Sequence, residues 1–567
     1  MIPILLFFLS LSSGVSAVPT ISNVLPRALN AAPTAKTLNG SYYGTHSSAY
    51  NQDLFLGIPF AKPPLQDLRF TNPQSLNSSW AGALPATNYA WECIGYGGDQ
   101  IGYEQSEDCL YLNIVRPSGH ENASLPVAVW IYGGGFFDGG APDRRYNLSF
   151  IVENSVKIGK PIIGASIAYR LGPIGFLNGD AVANAGALNI GLKDQRLALQ
   201  WIHENIGGFG GDPTKVTIWG ESAGASSVGL HLLAFNGRDD KLFRAGMMES
   251  GNPIFEGPLN GTDTYQTQYD ALISAAGCGN CSDSLQCLRK LPFFVLNNIL
   301  NTTKFNSGWN PTIDGDFIVR LGSEQLADGS FVHVPIISGA NSDEGTSFSP
   351  QGVNSVADFV AAINTTTTLQ YALPENIVQQ LVSAYIDNPD YLIPSSETLG
   401  GNVTLGKPYG AEYRHSTAYW GDENFIAARR LTCETWAAAN LSAYCYRFNA
   451  VPTGISWPTG VTHFQEVAFV FNNLDGLGYA VNPFANKSES YTRLSDLMSK
   501  SWASFVHDLD PNGWVGRDSA VPAWPEYSVE NPLNIVWDAN VTSHTEPDTF
   551  RAEGIKILND NWKLFLR

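Results

Sequence analysis

The chain has 567 residues, 44% of them apolar and 15% charged, which is an ordinary globular composition able to bury a large core. A formal charge of −19 argues against nucleic acid or an anionic membrane as partner, since both need basic surface. The 14 Trp, 23 Tyr and 29 Phe fill cores, and such residues also line pockets for apolar substrates.

Met1 to Ala17 reads MIPILLFFLSLSSGVSA, an apolar run followed by small residues and a Val-Ser-Ala end that suits signal-peptidase cleavage. The apolar stretch is too short to span a bilayer, so a signal peptide at 1–17, secretion and no stable membrane insertion are expected. Twelve Asn-x-Ser/Thr sites, among them Asn402, agree with a secretory route and predict N-linked glycans. The seven cysteines point the same way. Their spacing predicts local staples Cys93–Cys109 and Cys278–Cys287, with Cys433–Cys445 a weaker third and Cys281 left over. A zinc site is a poor reading, because Cys278-x2-Cys281 has no matching second pair.

Residues 18–36 are unpatterned and read as a loose lead-in. From about residue 126 apolar strands alternate with helices. PVAVWIY (126–132), PIIGASIAY (161–169), VTIWG (216–220), FRAGMMES (243–250), HVPIISGA (333–340) and AYCYRFN (443–449) read as strands. LKDQRLALQWIHENI (192–206) carries apolar residues at helical spacing. The alternation predicts an α/β fold, with a mostly parallel sheet covered by helices on both faces. Segments 251–330 and 350–440 read as helical insertions. Length alone suggests two or three domains, but no linker, repeat or low-complexity run divides the chain. Residues 18–567 are therefore expected to form a single domain.

Gly220-Glu221-Ser222-Ala223-Gly224 fits G-x-S-x-G, with a strand before it and a helix-like run after it. A serine exposed on so sharp a strand–helix turn needs small residues two positions either side. This makes Ser222 the candidate nucleophile. Gly133-Gly134-Gly135-Phe136 ends the strand PVAVWIY. Three glycines there are costly in backbone entropy and suit a loop whose N–H groups must face a cavity. Neither phosphate-cradle pattern is present. A serine hydroxyl needs a general base, and that base needs an orienting acid. Of the six histidines after Ser222, His463 lies in a loop after a strand and leads the choice, with His507 next. Asp343 and Glu344, on the loop after HVPIISGA, are both candidate acids, and an exposed acidic turn is the bland alternative.

These motifs resemble the type-B carboxylesterase family, which includes cholinesterases and fungal lipases of the Candida rugosa type. Glu107-Asp108-Cys109-Leu110-Tyr111-Leu112-Asn113 matches a family signature, SDEG at 342–345 its acid motif and GVTH at 460–463 its histidine loop. The resemblance implies the α/β-hydrolase fold and a secreted serine esterase of carboxylic esters. It implies a Ser222–His463–Glu344 triad, selecting Glu344 over Asp343, and oxyanion donors at the backbone N–H groups of Gly134, Gly135 and Ala223. It also implies buried ion pairs Arg69–Glu107 and Arg170–Asp194, and a mechanism that needs no metal or cofactor.

In the family the first disulfide loop forms a lipase lid or carries a choline-binding Trp. Here the 15 residues between Cys93 and Cys109 contain no Trp and no long apolar stretch. A carboxylesterase acting on small-molecule esters with short-to-medium acyl groups is therefore expected. A triglyceride or sterol-ester lipase is the alternative, and a non-catalytic adhesion module of the same fold the remote one.

Overall fold

The computed structural model describes residues 32–364, 372–401 and 403–567. The segment read as a signal peptide lies outside the described residues, and so does Asn402. The lead-in expectation is corrected in part: Thr34–Lys36 is a strand that pairs antiparallel with Ser41–Tyr43.

Eleven strands form the central sheet. In chain order they are β1 (Thr45–Ser47), β2 (Gln52–Pro59), β3 (Tyr111–Pro117), β4 (Leu125–Ile131), β5 (Ile163–Ile167), β6 (Gly211–Glu221), β7 (Ala245–Glu249), β8 (Ile336–Asn341), β9 (Ala443–Phe448), β10 (Leu533–Trp537) and β11 (His544–Pro547). Their spatial order is β11-β10-β9-β8-β7-β6-β4-β5-β3-β2-β1. From β5 through β10 every neighbouring pair is parallel, and the strands outside that block pair antiparallel. The expected mostly parallel α/β sheet is present.

The parallel strands show why the sequence folds this way. All seven residues of β4 are buried, a continuous apolar run as befits a strand covered on both faces. Helices that flank the sheet include α1 (Leu148–Lys157), α2 (Ile190–Asn205), α3 (Ala223–Gly237), α4 (Ala427–Ala438) and α5 (Glu489–Asp508). On α2 the buried Leu192, Leu199 and Ile202 recur at helical spacing, and Asp194 on the same helix pairs with Arg170 at 2.7 Å. Arg69 and Glu107 form the second expected buried pair. The core beneath the strand ends is aromatic: Trp130 of β4 meets Trp219 of β6 edge-on at 4.6 Å, and Phe471 stacks on Trp219 at 4.7 Å.

The six expected strands are all found, within a few residues of their predicted ends, although His333 lies before β8, not in it. The antiparallel edge pair β10–β11 was not foreseen. Disulfides join Cys93–Cys109, Cys278–Cys287 and Cys433–Cys445, leaving Cys281 free and exposed. Among the described residues, no helix is long and apolar enough to cross a membrane.

Candidate active site

The C-terminal ends of the parallel strands gather the expected residues. In register, Gly220 of β6 lies beside Ile131 of β4, and Glu221 beside Glu249 of β7. Glu249 in turn lies beside Gly339 of β8, and Asn341 beside Phe448 of β9. The residues that follow these ends are Gly133, Ser222, Ser250, Glu344 and the loop bearing His463. Ligand and reaction sites in open α/β sheets occupy this edge.

Ser222 sits between β6 and α3 with φ 55° and ψ −128°, a conformation costing about 1–3 kcal/mol for a residue with a side chain. The surroundings leave no room for relaxation. A Cβ on Gly224 would lie 2.0 Å from the Ile131 carbonyl oxygen, and one on Gly220 2.4 Å from the Gly224 carbonyl carbon. The two glycines thus let α3 pack against β4 tightly enough to force the turn. Ser222 N–H donates to the Glu249 carbonyl at 2.9 Å, and the N-terminus of α3 presents its positive dipole end to the site.

The Gly133–Gly135 loop lies against this elbow. A Cβ on Gly133 would approach the Glu221 carbonyl oxygen to 2.6 Å and Ser222 Cβ to 3.0 Å. Gly134 has φ 93°, a left-handed backbone that favours glycine. Among the described residues, nothing accepts a hydrogen bond from the backbone N–H of Gly134, Gly135 or Ala223. Three donors therefore remain available beside the serine.

Ser222 Oγ lies 2.7 Å from His463 Nε2, and His463 Nδ1 lies 2.7 Å from Glu344 Oε2. The other Glu344 oxygen accepts from Asn341 N–H at 2.7 Å and from Ser250 Oγ at 2.5 Å. Both carboxylate oxygens are thereby held. Asp343, the rival acid, faces elsewhere: its Oδ2 accepts from Val461 N–H at 2.7 Å, while its own N–H donates to the Val461 carbonyl at 2.9 Å. It ties the histidine loop to the acid loop. His507, the rival base, lies in the last turn of α5 beside Asp508 and away from Ser222.

The structure adds residues that motif spacing does not reveal. Phe425 stacks on the His463 ring at 4.8 Å, and Phe348 meets it edge-on at 5.0 Å. Glu221 Oε1 lies 3.3 Å from His463 Nε2, so the residue beside Ser222 also faces the imidazole. Glu466 accepts from Asn341 Nδ2 at 2.5 Å, and Glu249 accepts from the indoles of Trp219 and Trp502 at 2.5 and 2.7 Å. Of these, only Glu221 carries a local signal, its place beside Ser222 in the G-x-S-x-G motif.

Three buried glutamates, Glu221, Glu344 and Glu466, act on one imidazole and set the electrostatics. Burial alone disfavours a charged His463, but Glu221 and Glu344 outweigh it and raise its pKa to about 9. Glu221 is raised well above the usual carboxylate range by burial, and Glu466, Glu344 and Glu249 add to the shift while His463 opposes it. The two effects compete for one proton: each protonated glutamate removes part of the attraction that raises the imidazole. The direction for His463, upward, follows from the fixed carboxylate contact. As for metals, among the described residues the one group of three close potential ligands is Cys278, Cys281 and Cys287, and its first and last members are disulfide-bonded.

Comparison with known proteins bears on this site. The chain matches the model described as the carboxylesterase family over residues 31–550. It is 37% identical to Lipase 5 of Diutina rugosa, over 93% of this chain and 96% of that one. It is 33% identical to Secreted lipase 1 of Botryotinia fuckeliana (strain B05.10), over 89% of this chain and 88% of that one. Among solved structures it is similar to EstA of Aspergillus niger, an α/β-hydrolase fold, with a TM-score of 0.80 and 26% identity. That likeness covers 95% of this chain and 100% of the other.

Proposed function

Because this chain belongs to the carboxylesterase family and is a carboxylic ester hydrolase, we propose that Ser222, His463 and Glu344 cleave the ester through an acyl-enzyme. The observation that carries this reading is the unbroken hydrogen-bond chain from Ser222 through His463 to Glu344, each link 2.7 Å. His463 takes the hydroxyl proton as Ser222 Oγ attacks the ester carbonyl, then gives it to the departing alcohol. Water, deprotonated by the same imidazole, attacks the acyl-enzyme, and the imidazolium returns that proton to Ser222 Oγ as the acid is released. Glu344 holds the imidazole in the tautomer that accepts at Nε2 and stabilises the imidazolium. The backbone N–H groups of Gly134, Gly135 and Ala223 receive the oxyanion, and each such donor supplies about 3 kcal/mol of transition-state stabilisation.

The protein is secreted, glycosylated and, over residues 18–567, a single catalytic domain. Support comes from the Met1–Ala17 leader, twelve sequons, three disulfides and the word "secreted" in the name of the Botryotinia fuckeliana relative. Its substrates are small dissolved esters with short-to-medium acyl groups, since the short Cys93–Cys109 loop offers no long apolar lid. A second reading, a lipase for long acyl chains, draws on the names of the Diutina rugosa and Botryotinia fuckeliana relatives. Hydrolysis of p-nitrophenyl esters from acetate to palmitate separates the two. A maximum at short chains, lost by about 10⁴-fold or more in Ser222→Ala, supports the esterase. Rates that climb with chain length favour the lipase.

A further inference from the structure

The Gly133–Gly140 loop folds on itself, with the Gly134 carbonyl accepting from the N–H groups of Phe137 and Asp138, both at 3.0 Å. Its outer side is held by the Cys93–Cys109 loop. Tyr96 N–H donates to the Phe137 carbonyl at 3.0 Å. The Gln100 side chain, 5% exposed, donates from Nε2 to the Gly139 carbonyl at 2.8 Å and accepts from Gly139 N–H at 3.1 Å. One buried amide thus satisfies both backbone groups of one residue. Asp138 reaches the other way, its Oδ2 accepting from Asp99 N–H at 3.3 Å.

The disulfide loop is itself held from further sides. Arg145 Nη2 pairs with Asp99 Oδ1 at 2.7 Å, Tyr103 Oη accepts from Arg144 N–H at 2.9 Å, and Tyr96 Oη donates to Asn297 Oδ1 at 2.9 Å. At its root, Glu92 is 1% exposed and neither of its carboxylate oxygens has a hydrogen-bond partner among the described residues. Burial, with Asp143, Asp99 and Asp138 near, raises its carboxyl to about 8 against the opposing pull of Arg145. A neutral group at that root adds no charge that would drive the loop outward at pH 7.

We propose that the Cys93–Cys109 loop is a fixed brace of the oxyanion loop, not a moving lid, and that Gln100 is the positioning residue through which it acts. The inference rests on the reading of Gly134 and Gly135 as oxyanion donors. Such donors help only if they are oriented before charge develops. Gly134 and Gly135 sit in a glycine-rich turn with little intrinsic stiffness, so their orientation must come from outside. Lifting the loop as a lid would break both Gln100–Gly139 hydrogen bonds and leave the Gly139 backbone groups without this partner.

The test compares wild type with Gln100→Met, which keeps the side chain's length and removes both bonds, and with Tyr103→Phe, which loosens the loop away from Gly139. Gln100→Met is expected to lower kcat on p-nitrophenyl butyrate about tenfold or more, with KM unchanged within about twofold. Affinity for a trifluoromethyl ketone transition-state analogue should fall by the same factor. Tyr103→Phe should leave all three unchanged, because Gln100 still grips Gly139 and the Asp99 and Tyr96 contacts still hold the loop. Wild-type kcat and analogue affinity in Gln100→Met would overturn the proposal. Independently, wild-type rates on tributyrin should saturate with dissolved ester and show no jump once emulsion forms; a jump means the loop moves, and overturns the brace. Turnover surviving in Ser222→Ala would instead sink the reading of the site itself and leave the brace without an object.

Discussion

Ser222 and His463 meet at 2.7 Å, but different physics holds each in place. The serine is held by backbone sterics: two glycines let α3 press on β4, and the turn between them has no slack. The histidine is held by polar contacts from the acid loop. Asp343 clasps Val461 in both directions, Asn341 Nδ2 donates to the Thr462 carbonyl at 2.9 Å, and the Ser347 and Thr462 hydroxyls meet at 2.6 Å. Sterically fixed geometry should fail all at once, whereas a hydrogen-bonded loop should fail by degrees. The proposed nucleophile sits on a rigid turn and the proposed base on a tunable loop, a division that suits a group which must pick up and hand on a proton.

The largest expected effect comes from adding one methyl to the rigid region. In Gly224→Ala the new Cβ meets the Ile131 carbonyl, so a loss on the order of 4–5 kcal/mol or more is expected, read as soluble yield and urea midpoint. A mild result would mean that the elbow can relax, and the contrast would fail. On the histidine side, Asp343→Ala should lower kcat about tenfold while the protein stays folded. Asp343→Asn, which keeps an acceptor for Val461 N–H, should recover most of that loss. Collapse of Asp343→Ala to the level of Gly224→Ala would show that the loop is not tunable.

Smaller still is a shift in pH dependence. Where Glu221 is ionised it helps hold the His463 proton, and with His463 as the proposed base, activity should be lost as pH falls through the imidazole's pKa. Glu221→Gln removes that attraction, so the acid limb of kcat/KM should move about one unit toward lower pH. A limb that stays in place would assign the shift to Glu344 alone. The smallest effect lies in the brace. The Glu92 carboxyl is raised from 4.5 to about 8 on folding, so its contribution to stability is fully present below pH 4.5 and lost as pH rises toward 8. Glu92→Gln should therefore raise Tm by about a degree or two at pH 8 and leave it unchanged at pH 4.5.

The same contrast governs how far the site could be read before the structure was known. The elbow is local: G-x-S-x-G with an apolar strand before it encodes the close packing directly, and the parallel strands announce themselves as continuous apolar runs. The proposed triad's other members lie 122 and 241 residues further on, and local pattern left Asp343 beside Glu344 and His507 beside His463 until the family resemblance chose between them. Phe425, Ser250 and Glu466 had no local signal at all, because each matters only through what the fold brings next to it. Strand β10 went unread for a similar reason. Its five residues follow a Pro-containing stretch that reads as loop, and pairing with β9 and β11, from distant sequence, makes them a strand.

The central claim is that Ser222, activated by His463, is the group acylated during ester cleavage. Labelling with a fluorophosphonate, followed by peptide mass spectrometry, tests it most directly. The account predicts one adduct per chain, on Ser222, formed in step with loss of esterase activity and strongly slowed in His463→Ala. An adduct on any other residue, or full activity in protein labelled at Ser222, would contradict it.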